Sequence, residues 1–358
     1  MGGGLLQLAA YGAQDLKFTG NPQISFFKTV YRQYTNFSME SIKLDVNGPT
    51  LSENNNCELT CPITRNGDLI SDIYFCFELP NIYSGKHSQN GSAPFYNYEF
   101  QWIKNIGYNI FNSVSILIEG NIIDKHYSDW MHIWSELNMS DSEKSILDEM
   151  IGNVPEIYDP SNSKGQNGLY PHITTSTNNT LQAKKYNDFN NNLIKILDAD
   201  KNITIPSIKK RNIKVPLLFW FNRNKGLALP LLALQYNRIE LKFELKNVNK
   251  LFTVLETDST LTFHRKRIKP GSKSHNNLAN FLIDSTMVNS NNNTRSLNFL
   301  DIKPYVEGNY IFLDNDERKR FARNSHNYLI EQVKRVKIDG VKSTSKHSIE
   351  FDQCCKYI

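Results

Sequence analysis

Residues 205–245 read IPSIKKRNIKVPLLFWFNRNKGLALPLLALQYNRIELKFEL, and they decide the fold class. Residues 214–221 (KVPLLFWF) form a nearly unbroken apolar run of strand length. Such a run suits a strand buried on both faces, or a short buried helix. Pro216 and the flanking Asn222 and Gly226 favour strand and turn. Residues 235–245 (QYNRIELKFEL) alternate instead. Ile239, Leu241, Phe243 and Leu245 share one face; Tyr236, Arg238, Glu240, Lys242 and Glu244 share the other. That is the pattern of a half-buried strand. One strand deep in a core and one with a wet face predict a β-sandwich.

The flanking chain fits that prediction. Residues 37–46, 57–64 and 69–79 read as short strands separated by Asn, Gly and Pro clusters, and residues 102–119 supply another, ending at the Gly120-Asn121 turn. Residues 81–97 read as a polar loop. Within residues 124–137 the stripe Tyr127, Trp130, Met131, Trp134 and Leu137 has helical spacing and predicts a helix covering a sheet end. A second helix follows over 140–151, with Ser140 and Glu143 at capping-box spacing. Residues 152–204 are rich in Gly, Pro, Asn and Ser and predict a long loop with one helix-capable patch at 192–198. Later come a short strand at 309–313, a charged helix at 314–323 and strand candidates at 328–338 and 348–351. Before all of these, residues 2–12 (GGGLLQLAAYG) read as an arm, and Ile24, Phe27, Val30, Tyr31 and Tyr34 predict an amphipathic helix after Pro22.

Composition excludes several classes. The chain has 358 residues, 39% hydrophobic, and a net charge of +5, enough for a real core and about two domains. No apolar run approaches the ~18 residues of a membrane span. The N-terminus has no basic n-region, and Leu6 breaks the myristoylation pattern. Five cysteines (57, 61, 76, 354 and 355) with no secretion signal predict free thiols. Cys57 and Cys61 share a strand face, and no further ligands at zinc spacing accompany them, so they read as buried small residues. His126 and His132 are six apart and make a poor metal pair. The eight histidines are scattered, with no close pair on a predicted strand for a cupin-type metalloenzyme. No Ser-His-Asp setting, phosphate loop or poised carboxylate pair stands out. The expectation is therefore no enzyme activity, no catalytic, metal or cofactor-binding residues, no cofactor and no small-molecule substrate. The basic run HRKRIKPGSK (264–273) lacks interleaved aromatics and sits beside Pro-Gly, so it reads as a solvated interdomain segment and direct nucleic-acid binding is not expected.

Three segments carry a family resemblance: AYGAQD followed by TGNPQISFFKTVYRQYTNFS near the N-terminus, FNRNKGLALPLLALQYNRIELKFEL in the middle, and YIFLDNDERKRFARNSHNYLIEQV near the end. Together they resemble the major capsid proteins of nucleocytoplasmic large DNA viruses, a double jelly-roll family. The resemblance implies an all-β jelly-roll β-sandwich with short helices in its loops, and a structural role in the icosahedral shell. It also implies homotrimeric, pseudo-hexagonal capsomers that contact neighbouring capsomers and minor capsid proteins, in a virion assembled in the host cytoplasm. The resemblance further implies that the general region of the long loop at 152–204 belongs to the outward tower of the capsomer. The expected division is an N-terminal arm and helix (1–36), a first jelly roll (37–246), a linker with loops (247–304) and the incomplete start of a second roll (305–358). Only about fifty to sixty residues follow that last signature, too few for eight strands at ~5–6 residues each. Alternative expectations are a minor capsid paralogue or truncated product needing a partner chain, and a lectin-like host-attachment module using Phe95, Tyr96 and Tyr98.

Overall fold

The alternation in residues 235–245 is a strand, Ile239–Leu245, whose Leu241, Phe243 and Leu245 are fully buried while Glu240, Lys242 and Glu244 stay partly exposed. The computed structural model describes residues 34–84, 86–88, 95–163, 165–171, 174–176, 203–258, 265–270, 277–282, 287–289 and 299–338, and residues 27, 340, 346, 348 and 355. The chain divides after Phe37, and Ser38–Ile358 form the larger unit. The expected arm, the helix after Pro22, the patch at 192–198 and most of 348–351 lie outside the described residues.

Eight strands build the sandwich: β1 (Phe37–Asp45), β2 (Cys57–Pro62), β3 (Leu69–Leu79), β4 (Phe111–Ile118), β5 (Asn121–Tyr127), β6 (Arg211–Pro216), β7 (Ile239–Leu245) and β8 (Tyr305–Leu313). Sheet one has the order β1-β8-β3-β6, with the short strand Leu229–Pro230 also on β3; sheet two has the order β2-β7-β4-β5. Successive strands change sheet everywhere except at β4–β5. There the hairpin turns on Glu119 and Gly120, both at positive φ, which suits the twist of the flanking strands. This alternation between two four-strand layers is the jelly-roll pattern. The layers meet through aromatic rings: Phe75 of β3 lies 4.7 Å from Phe243 of β7 and 5.2 Å from Phe111 at the start of β4. β3, buried on both faces along most of its length, is the spine of sheet one.

β8 corrects the expected division at residue 305. It is hydrogen-bonded to β3 from Tyr305↔Cys76 to Ile311↔Leu69, and β1 lies on its other side. Without it, β1 and β3 would each face a gap in the middle of sheet one. Tyr305–Leu313 is therefore the eighth strand of the first roll, which runs to Leu313.

Three long connections leave one end of the sandwich. The end of β3 is opposite the start of β6 (Leu79↔Arg211), the end of β5 opposite the start of β4 (Tyr127↔Ser113), and Leu245 opposite Phe111. Residues 80–110, 128–210 and 246–304 thus depart together. The first and third supply a further sheet, in the order Arg265–Ile268, Phe252–Asp258, Phe95–Trp102, Lys86–Ser88, Met287–Asn289. Its core stacks Phe100 on Phe252 at 4.9 Å, with Phe281 and Trp102 beside them. The expected strand at 102–119 is thereby corrected: Phe95–Trp102 and β4 belong to different sheets, parted by the helical turn Ile106–Asn109.

The second connection begins with a helical hairpin, α1 (Ser128–Asn138) and α2 (Asp141–Ile151). The helix expected from residue 124 starts at Ser128, because Asp124–Tyr127 pair with β4. Met131 is fully buried and Trp134 packs on the core, but Leu137 is 63% exposed, so the apolar stripe covers the sheet end only as far as Trp134. The capping box of Ser140 and Glu143 is present. Gly107 admits the end of α2: a Cβ there would lie 2.7 Å from the Ile151 carbonyl oxygen. After β8, Asp314 caps α3 (Asn315–Arg323), accepting a hydrogen bond from the Asn315 N–H. The strand expected over 328–338 is not formed; those residues have no ladder partner among the described residues.

Candidate interaction surfaces

The outer face of sheet one is a connected patch of half-buried polar and aromatic groups. Alternation puts Phe75 and Phe77 inward and Tyr74, Cys76 and Glu78 outward. β8 aligns Tyr305 with Cys76 and Glu307 with Tyr74; β6 aligns Lys214 with Cys76. Lys214 Nζ reaches Glu307 Oε2 at 2.9 Å and lies 4.4 Å from the centre of the Tyr74 ring. Ser41 of β1 donates to Glu307 Oε1 at 2.8 Å, and Lys43 Nζ sits 4.4 Å over the Tyr305 ring. Burial pushes the Glu307 carboxyl up, but the Lys214 and Ser41 hydrogen bonds and the Lys214 charge outweigh it, leaving it below the usual range. One carboxylate ties all four strands.

The outer face of sheet two combines an exposed ion pair with a second shared carboxylate, Glu244. Lys242 reaches Glu58 at 3.0 Å and Lys125 reaches Glu244 at 3.3 Å; Ser113 donates to Glu244 at 2.6 Å. Burial raises the Glu244 carboxyl, and Ser113 and Lys125 together bring it below its ordinary value. These are the polar positions the alternation of residues 235–245 placed outward.

At the edge of sheet two, Asp124 and His126 are fully buried, with His126 Nε2 2.8 Å from Asp124 Oδ2. The imidazole stacks on Phe219 at 4.6 Å. Asp124 Oδ1 accepts the N–H of Val333 at 3.0 Å, so residues 328–336 cross this edge, and Glu331 pairs with Arg223 at 2.7 Å. His132 is exposed on α1, close to Asn105. The structure does not bring the two histidines together. Among the described residues no three His, Cys, Asp or Glu side chains gather as a metal site would need.

Cys57 and Cys61 are both buried on one face of β2, as their spacing predicts, and Cys76 is buried on β3. Burial pushes the Cys61 thiol up to about 12 and the Cys76 thiol to about 11, which keeps both protonated and unreactive at neutral pH. Tyr98 is fully buried within its strand, so it is not the exposed loop aromatic that sugar stacking would require. The side chains of Phe95 and Tyr96 lie outside the described residues. A cleft of about 400 Å³ opens between residues 65–68, Leu231, Leu232, Gln235 and the β8–α3 junction. Its buried carboxylate, Asp68, accepts the Leu313 N–H at 2.9 Å and pairs with Arg318 at 3.1 Å, so this acid serves the chain's exit from the sandwich. The tract LALPLLALQY forms the opposite wall, and sequence reading could not assign it that place because its partners lie at residues 68 and 313.

The topology defines the jelly-roll class, which viral capsid proteins, lectins and cupins share. Residues 25–314 match the family described as "Major capsid protein N-terminus", and the chain belongs to that family. The match ends at Asp314, one residue beyond β8. Capsid protein 1 of Acanthamoeba polyphaga mimivirus is 33% identical over 362 residues, covering 100% of this chain and 48% of that one. The major capsid protein of Phaeocystis pouchetii virus is 34% identical over 361 residues, covering 99% and 57%. This chain thus spans about half the length of the curated relatives it matches. A quasi-atomic model of the PBCV-1 virus capsid is similar at 27% identity and a TM-score of 0.46, covering 86% of this chain and 50% of that one.

Proposed function

We propose that the chain is a structural capsid protein of a large DNA virus, the building block of trimeric, pseudo-hexagonal capsomers in an icosahedral shell. The observation that carries this reading is a family match that begins before β1 and takes in the whole eight-stranded roll. Its mechanism is geometric. A rigid sandwich presents flat outer faces to neighbours and sends its long connections from one end, where they form the outward surface. Residues from Asn315 onward correspond to no more than the start of a second roll, and a capsomer of six similar lobes needs two rolls in each of its three subunits. Neighbouring capsomers and minor capsid proteins are the remaining partners, and assembly takes place in the host cytoplasm. No catalysis is assigned to the chain.

Light scattering on the purified chain tests the reading. A discrete trimer mass is expected at micromolar concentration. A monomer that persists to tens of micromolar overturns homotrimeric assembly by this chain and favours a product completed by a partner chain.

A further inference from the structure

Two surfaces at the connection-bearing end of the sandwich differ sharply in charge. The hairpin α1–α2 carries six carboxylates against one lysine over residues 128–151. Asp129, Glu136, Asp141, Glu143 and Glu149 are exposed, and so are the apolar Ile133, Leu137 and Ile146. Lys144 pairs with Glu136, Arg335 with Asp129 and Arg211 with Glu149, so the face keeps a net negative charge rather than a purely acidic one. Exposed apolar side chains rimmed by charged groups are the composition of a docking face. The second surface is the strand Arg265–Ile268, at the outer edge of its sheet. It belongs to the segment HRKRIKPGSK, which holds five Lys and Arg and no acid. Lys266 and Arg267 are exposed.

We infer that the basic edge strand Arg265–Ile268 of one copy docks against the acidic α1–α2 face of the next copy. The contact is heterologous, one surface meeting a different one, and such contacts close into rings when the rotation permits. Both surfaces emerge from the same end of the sandwich, on the connections 246–304 and 128–210. A rotation about an axis along the strands therefore keeps them level from copy to copy. Opposite charge steers the encounter and sets the register, and the exposed isoleucines and leucine supply the apolar burial. The inference rests on the capsomer reading and adds its partner surfaces; it also gives the basic run a protein partner instead of a nucleic acid.

The test is charge reversal in the full-length chain, read by sedimentation and light scattering at several salt concentrations. Lys266→Glu with Arg267→Glu, and separately Asp141→Lys with Glu149→Lys, are each expected to weaken self-association at least tenfold. Both pairs combined in one chain restore it, whereas an equimolar mixture of the two variants gives mixed dimers but no closed trimer, because a ring of three cannot alternate two kinds of chain. Circular dichroism confirms that each variant folds, and the edge-strand pair stands alone should the hairpin variant not fold. Wild-type association should also weaken as salt rises. Variants that assemble like the wild type, or a combined chain that stays dissociated, overturn this contact while leaving the capsomer reading intact. A wild-type chain that never associates overturns both.

Discussion

The two sheets bury equivalent inner faces and finish their outer faces differently. Sheet one gathers its outer polar groups around Glu307, which Lys214, Ser41 and the neighbouring Cys76 all approach. Sheet two also shares one carboxylate, Glu244, between Ser113 and Lys125, but it leaves the pair Lys242–Glu58 in water, with Glu58 60% exposed. A shared, partly desolvated carboxylate is sensitive to losing any member, whereas an exposed pair is screened by water and contributes little. The difference teaches that two faces of one sandwich with similar polar content can depend on it to different degrees.

The largest effect is expected where the two faces have a common foundation. Phe75→Ala removes the ring between Phe111 and Phe243 and should destabilise the sandwich by about 3–5 kcal/mol, lowering the denaturant midpoint for probes on both sheets together. A loss confined to one sheet would show that the layers unfold separately. Glu307→Ala comes next. It strands Lys214 on a half-buried surface, at a cost of roughly 1 kcal/mol after allowance for solvent screening, and it should speed alkylation of Cys76 relative to Cys61. Equal labelling rates for both thiols in wild type and variant would contradict the shared-carboxylate account. Acid acts on both faces in the same direction. Glu307 and Glu244 are both lowered below their ordinary value of 4.5 in the folded state. Their stabilising contribution is complete above that value and is lost as pH falls through the lower folded one. Glu307→Gln and Glu244→Gln should each flatten the acid limb of a stability–pH curve, and an unchanged limb in either would remove that carboxylate from the account. The smallest effect belongs to Lys242→Ala, within about 0.5 kcal/mol; a shift in melting temperature larger than that of Glu307→Ala would invert the comparison.

Local pattern made some elements legible and not others. The alternation of residues 239–245, the capping box of Ser140 and Glu143, and the acid cap of α3 are readable because each depends on side chains within a few residues. The run 214–221 shows the limit. Its burial is legible, since Leu217 to Phe221 are all buried, but the strand stops at Pro216 and Trp220–Arg223 make a helical turn. Periodicity cannot separate a buried strand from a buried turn. Residues 328–338 have strand composition and make no ladder, because a strand exists only where a partner edge is offered. The place of β8 in the first roll depends on pairing with residues far upstream. For the surfaces, the outward positions of β7 could be read directly, while the Glu307 cluster could not, because its members come from β1, β3, β6 and β8.

β8 sits between β1 and β3, yet its Asn309 is 237 residues from Asp72, to which it hydrogen-bonds. At synthesis rates of about 5–20 residues per second, the nascent chain carries β3 for on the order of ten to fifty seconds before its neighbour is made. Throughout that interval a long apolar strand has a bare edge, the kind that pairs promiscuously with other chains. Sheet one is sealed by one of its last-made pieces. The crowded translation of a capsid protein is therefore where this architecture is most exposed to misassembly, and holding that edge apart is a natural task for a folding helper acting before the chain is finished.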